Sequence, residues 1–554
     1  MVKSADPTPR AGDTGAEADA WAPLRQRAFR AMWLAILGSN IGTWVNDVAA
    51  SWVMAERTGS PLMVAAVQSA TTLPVVLLAL AAGTLADIVD RRRYLLLAQG
   101  WMLLVACMLA LASRTGMLSP PVLVALTFAM GCGAAMAMPA QAAVVSELVD
   151  RPLLAPAVAL NSIGINIARS IGPAIGGLVV ARLGASWAFA LNALSFCAML
   201  WVLLRWRRVL AAGDLPPEGF GSGLRAGLRY ASRAGRLQAV LLKSAGFFLF
   251  ASAMTALLPL VVRGEMKLGA GSYGVLLGCI GIGAIAGALC LPRLRARMDR
   301  DLLVLLATLV LAASLLGLAR LRSVPALAPV MLANGLAWIT VLSSLQIAAQ
   351  TAVPAWVRAR ALSLYIMVFS LGMAGGSLLW GALAQRASIP LALTVAAAGA
   401  VLAGLAVWRV RIAGTEGLDL QPAGDWPAPA QPQPVSHDRG PVLVTVQYHV
   451  DAADRADFLA RIRQLGRVRR RDGAVAWGVA EDVAAPGVHL EYFIVPSWLE
   501  HLRQHARVTG DDRGLQQQVR LLHRGAEPPL VRHFVAGDAL HAAAVPPPHS
   551  HHDI

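Results

Sequence analysis

Apolar runs of about twenty residues, the length a helix needs to cross a bilayer core, recur along the first three-quarters of the chain. They lie near 29–54, 62–86, 94–113, 121–146, 156–181 and 185–204, then near 238–262, 272–292, 301–320, 325–350, 361–385 and 389–408. The pattern predicts an all-α membrane protein with twelve transmembrane helices in two six-helix bundles, 29–204 and 237–411. The polar stretch 205–236 between them reads as a cytoplasmic linker. It holds Pro216 and Pro217, then Arg225, Arg229, Arg233 and Arg236. Spacings of three and four put these arginines on one helix face, suited to anionic headgroups or simply to water. Past Arg411 the pattern changes. Residues 412–440 are rich in Pro, Gly, Gln and Asp and read as a flexible linker. Alternating strands follow at 442–448, 475–480, 488–495 and 530–535, with helical patterns at 454–470 and 497–524. This β-α-β-β-α-β order predicts an α+β ferredoxin-like domain over 441–537. Residues 1–28 and 538–554 read as disordered ends, the first without the apolar core of a cleaved signal.

Composition agrees with the pattern. The chain is 56% hydrophobic and 14% charged, with a mean hydropathy of +0.58, so a membrane is its natural solvent. The net charge of +16 does not form a continuous basic face, and nucleic acid is excluded as a partner. Instead the arginines cluster between apolar runs. Seventeen fall in the loops at 91–93, 151, 205–236, 293–300 and 358–360, against eight Arg and Lys in the alternate loops. The excess marks the cytoplasmic side and places both termini there. Cys107, Cys132, Cys197, Cys279 and Cys290 lie inside apolar stretches without metal-ligand spacing and read as buried, inert thiols. No nucleotide-binding G-x-x-x-x-G-K-[ST] loop occurs, so any work done by the spans is expected to draw on an ion gradient, with protons as the coupling partner and no cofactor.

The two halves echo each other. Gly83-x-Leu85-x-Asp87-x-x-x-Arg91-x-Arg93 follows the second run, and Gly287-x-Leu289-x-Leu291-x-x-x-Arg295-x-Arg297 follows the eighth. Parallel halves mark transporters whose site lies between two bundles. The first of these stretches resembles the loop signature of the major facilitator superfamily. That resemblance implies a gating latch: Asp87 facing the start of the eleventh span, where Arg358 and Arg360 precede it, with Gly83, Arg91 and Arg93 completing the motif. Ala168-Arg169-Ser170-Ile171-Gly172-Pro173-Ala174-Ile175-Gly176-Gly177 is similar to the antiporter motif of the superfamily's exporters. Its signature residues are Gly172, Pro173, Gly176 and Gly177. The eleventh run keeps Gly372, Gly375 and Gly376 but has no proline. This asymmetry favours export over uptake.

Ionisable groups inside spans are costly and functional by default. Asp47 lies about two turns from the outer end of the first run and Arg169 near the middle of the fifth. Asp47 is therefore a candidate proton-coupling carboxylate or, equally, one half of a structural Asp47–Arg169 pair. Asn40, Asn161, Asn166, Gln141, Asn334, Gln346 and Gln350 are candidate cavity liners or interhelical hydrogen-bonders. The C-terminal region resembles small dimeric domains of the antibiotic-biosynthesis-monooxygenase type. Together the two parts look like a secretion-effector subgroup of the superfamily that includes siderophore exporters. The resemblance implies proton-coupled export of a small organic molecule, drug-like or siderophore, across a bacterial inner membrane. Its partners would be that substrate, protons and membrane lipid, with a homodimer formed through the C-terminal domain. A membrane-anchored enzyme or a regulator acting through that domain is the rival reading. His501 and His505, four apart on one helix face, have a spacing that suits zinc. With no carboxylate or thiol to join them, they read as polar surface histidines, and no metal is expected.

Overall fold

The computed structural model describes residues 21–206, 229–412, 436 and 439–536. The chain divides into two compact units. The first holds 1–215, 241–345 and 363–411; the second holds 216–240, 346–362 and 412–554.

The first unit is helical. Its elements, some of whose ends belong to the second unit, are α1 (Arg27–Thr58), α2 (Pro61–Ile88), α3 (Arg91–Arg114), α4 (Pro120–Glu147), α5 (Leu154–Leu183) and α6 (Ala185–Arg205). Then come α7 (Gly235–Leu260), α8 (Ala270–Arg297), α9 (Arg300–Arg320), α10 (Val324–Thr351), α11 (Ala355–Arg386) and α12 (Ile389–Ala406). Among the described residues, eleven helices are long and apolar enough to cross a membrane. The exception, α1, is diluted by Asn40, Asn46, Asp47 and several small polar residues. Local chemistry sets the helix ends. Ser60 accepts from the Met63 N–H ahead of Pro61, and Asp90 accepts from the Arg93 N–H at 2.9 Å, so each satisfies an orphan donor of the first turn. Gly59 closes α1 at φ +59°, where a side chain would be strained. Prolines inside α2, α4, α5, α7, α8 and α10 fit a setting in which neighbouring helices satisfy freed carbonyls.

Within this unit α1 packs on α5 and α6, α2 on α4, α3 on α6, α9 on α12, and α5 on α8. Cys107, Cys197 and Cys290, expected to be buried, lie on exposed helix surface, while Cys132 and Cys279 are half-buried; all five are free thiols. A helix crossing a membrane is apolar on both its bundle face and its lipid face, so hydropathy alone does not assign them.

The second unit carries a small sheet. Its order of elements is β1 (Val442–His449), α13 (Arg455–Asp472), β2 (Ala476–Glu481), β3 (Val488–Val495), α14 (Trp498–Arg507), α15 (Gly510–Arg520) and β4 (Leu530–Val535). The strands lie in the order β2-β3-β1-β4, each pair antiparallel. Strand β1 alternates strictly, burying Val442, Val444, Val446 and Tyr448, as period-two geometry requires. These residues meet Phe458, Ile462 and Leu465 of α13 on one side of the core and Phe493, Val495 and Trp498 on the other. The helical stretch expected at 497–524 is broken in two. Thr509 and Asp512 form a reciprocal capping box that starts a new helix. Two of the linker arginines contact protein groups of this unit. Arg229 stands 3.5 Å from Glu500 and Arg233 donates to the Arg470 carbonyl at 2.6 Å.

Candidate functional site

The antiporter-like stretch forms a seam of backbone contact. Gly172 faces Trp44 and the Ile41 carbonyl, and Gly176 faces Val45 and Val48, so that a Cβ on either would press into α1. Gly177 faces the other way along the same helix. A Cβ there would collide with the Gly274 Cα of α8. Ser170 Oγ continues this second seam by donating to the Gly281 carbonyl at 3.1 Å. Pro173 lies inside α5. The counterpart seam joins α2 and α11. There Ser69 Oγ donates to the Ala374 carbonyl at 2.7 Å, Ser60 Oγ to Gln385 Oε1 at 2.9 Å, and Gly381 faces Ala65 and the Pro61 carbonyl. Small residues are what let helix backbones approach this closely.

Asp47 and Arg169 do not form the pair that was one reading of them. Among the described residues no ion pair joins them, although α1 and α5 pack together. The seam's register explains it. With Gly172 opposite Ile41 and Trp44, and Gly176 opposite Val45 and Val48, Asp47 sits level with about residues 176–177. That is about seven to eight residues, or roughly 11 Å of rise, from Arg169. Each charge instead has a tyrosine of the other half within electrostatic range: Tyr273 of α8 for Asp47 and Tyr365 of α11 for Arg169. Tyr273 also stacks on Trp52 at 5.9 Å, and Tyr365 donates to the Leu342 carbonyl at 3.2 Å.

The other sequence candidates are scattered. Asn334 is buried; Asn40, Asn161, Asn166 and Gln141 are half-buried, as are Gln346 and Gln350 in the second unit. Asn166 spends its amide on the Ser162 carbonyl of its own helix. Gly83 and Asp87 fall in the last turns of α2, but the surroundings of both lie outside the described residues. Arg91 and Arg93 begin α3. Sequence reasoning passed over their neighbour Arg92, which donates to the Leu203 and Leu204 carbonyls and so satisfies the end of α6. It also passed over Lys243 of α7 and Asp301 of α9, a buried ion pair. The signal was a lone lysine nine residues into an apolar helix and an aspartate in another helix's first turn.

Comparison with known proteins settles what kind of molecule this is. The family model described as transmembrane secretion effector matches residues 18–540, through both the helices and the sheet. The chain belongs to that family. It is a multi-pass membrane transporter of the major facilitator type. Relatives include the staphyloferrin A transporter of Staphylococcus aureus, 25% identical over 50% of this chain and 70% of the relative. The enterobactin exporter EntS of Escherichia coli is 29% identical over 52% of this chain and 70% of its own length. Among solved structures, a mutant form of the nucleoside transporter NupG matches with a TM-score of 0.56 at 13% identity, over 69% of this chain and 99% of that one. A POT family transporter in complex with a thioalcohol-conjugated peptide matches with a TM-score of 0.57 at 13% identity, over 70% and 97%. At that identity the likeness is one of fold.

In this secretion effector the sheet domain also differs from its sequence reading at the histidines. His501, expected on the surface, is 1% exposed. The reason is that α14 lays its His501–His505 face on the sheet, where β4 brings His533 beside them. The His501 ring centre lies 4.5 Å from that of His505 and 4.8 Å from that of His533. Burial, the neighbouring imidazoles and the Arg469 charge push His501 down to about 3. Burial, His533 and Arg469 push His505 down to about 4, and burial lowers His533. Neutral imidazoles, the form that ligates metals, are thus the resting state. His533 could not be paired with the other two from sequence, because a long stretch of chain and α15 intervene.

Proposed function

We propose that this transporter exports a small organic molecule, drug-like or siderophore, by proton-coupled alternating access. The named relatives are a transporter of staphyloferrin A and an exporter of enterobactin. In this reading all twelve long helices span the membrane, α1 included, with both termini cytoplasmic. The observation that carries the proposal is the placement of Asp47 and Arg169 beside contacts between the first six helices and the last six. Asp47 lies five residues before Trp52, on which Tyr273 of α8 stacks at 5.9 Å, and Arg169 adjoins Ser170, which donates to the Gly281 carbonyl of α8 at 3.1 Å. Relative movement of the halves changes both environments at once, which is what couples a carboxylate's protonation to access. Asp87, Arg91 and Arg93 would latch the cytoplasmic ends, and the α5–α8 and α2–α11 seams would close the outer ones. The sheet order β2-β3-β1-β4 supports a ferredoxin-like domain. Its edge strand β4 exposes Leu530, Val531 and Phe534, apolar groups suited to joining a second copy.

The test is uphill accumulation of siderophores and a drug panel into energised everted vesicles. Wild type should accumulate substrate and lose this ability when the proton gradient is collapsed. Asp47→Asn should lose uphill movement but retain downhill exchange. Because the structure does not pair the two charges, the Asp47→Asn/Arg169→Gln double variant should stay inactive. Gradient-driven accumulation by Asp47→Asn, or its recovery in the double variant, would remove Asp47 from the mechanism.

A further inference from the structure

The three histidines have a geometry that transport does not use. Their ring nitrogens, one from each side chain, all lie within 4.8 Å of one another. Two come from one face of α14, as an i, i+4 pair must. The third comes from β4, on the strand face that also carries Val535 into the core. Both His501 ring nitrogens are buried without a hydrogen-bond partner. Gln504, three residues further along α14, spends its N–H on the Arg469 carbonyl at 3.4 Å. An imidazole packed only for bulk would leave this cost uncompensated.

The site is open on one side. His501, His505 and His533 line a cavity of about 520 Å³ together with Arg469, Tyr448 and Arg520. The buried carboxylate of Glu491 is already held by the Trp477 indole N–H at 3.0 Å, the Tyr448 hydroxyl at 3.3 Å and Arg469 at 3.5 Å. Among the described residues the donor set is therefore three imidazoles and nothing harder.

We propose that the C-terminal domain binds a divalent transition-metal ion of the zinc class through His501, His505 and His533, with a fourth position open to the cavity. Nitrogen ligation at about 2.0–2.1 Å places tetrahedral donors roughly 3.3 Å apart, which rotation of the imidazole rings supplies from the present spacing. All-imidazole donors select zinc, cobalt, nickel or copper over calcium or magnesium. Three protein ligands leave room for water or for an anion drawn by Arg469 and Arg520.

The experiment uses the full chain in detergent, purified without a polyhistidine tag, stripped with a chelator and titrated with Co²⁺. The expected result is one equivalent giving the intense visible band of four-coordinate cobalt, displaced by Zn²⁺. His533→Asn and His505→Asn should each weaken binding roughly 100-fold or more, at or beyond the upper end of outer-shell changes. His533 is only half-buried, so its variant should keep the wild-type circular dichroism and decides the matter if His505→Asn misfolds. The tail residues His549, His551 and His552 are replaced with alanine together as a control and should leave the band intact. The proposal is overturned if the band survives His533→Asn, vanishes with the tail variant, or is replaced by the weak spectrum of six-coordinate cobalt.

Discussion

The helical region and the sheet domain bury polar groups in opposite ways. In the domain they are knitted together. Glu491 is shared by Tyr448, Arg469 and Trp477, Arg471 bridges Asp472 and Asp512, and Arg507 joins Glu500 to the Asp472 carbonyl. Against that background His501, with neither nitrogen satisfied, stands out as a ligand site. Among the helices, the side chains of Asn46, Gln99 and Asn192 have buried polar atoms without partners, and cohesion comes from glycine contacts and single hydrogen bonds to backbone carbonyls. A network fixes one arrangement because each member depends on the others. Seams of small residues and isolated hydrogen bonds can part and re-form, which suits a protein whose halves must move. A buried exception among the described helix residues is Lys243–Asp301, which ties α7 to α9 within one half.

That exception offers the largest test. Lys243→Met takes the lysine from the buried Asp301 carboxylate, and breaking such a pair costs about 3–5 kcal/mol. Thermal unfolding in detergent should show a large loss, and adding Asp301→Leu should recover most of it. An unchanged midpoint for the single variant would mean that this pair behaves like the loosely held polar groups around it. Next come the seams. Gly177→Leu overpacks the Gly177–Gly274 contact, at about 1–3 kcal/mol, or roughly 5- to 150-fold in the balance of states. Transport should drop accordingly while membrane insertion persists. Gly375, where an added Cβ meets nothing within 4 Å, should tolerate leucine, and equal damage at both positions would make the contact incidental. The smallest effect belongs to Arg229–Glu500 in the second unit, a partly exposed pair. Arg229→Ala should change stability by less than about 1 kcal/mol, read as hydrogen exchange of peptides around α14. A larger loss would extend the domain's network into the segment before α7.

Much of the element layout was written in the hydropathy and the turn residues. Apolar runs marked out the candidate spans because a bilayer demands length and apolarity and little else. The strands at 442–449, 476–481, 488–495 and 530–535 followed from alternation. The break at Thr509 was there to be read as a T-x-x-D cap. Individual sites were less legible. Asp47 and Arg169 were visible as charges in apolar runs, but their separation depends on the α1–α5 register, which glycine-to-side-chain contacts decide. Lys243 and Asp301 meet through the packing of two helices that share no motif. The three histidines come together because α14 lies across the sheet and β4 returns beside β1. Local periodicity determines where a chain forms helices and strands, since it depends on neighbours a few residues away. Which side chains face each other across elements is set by close packing over long sequence separations, and that only the tertiary structure decided.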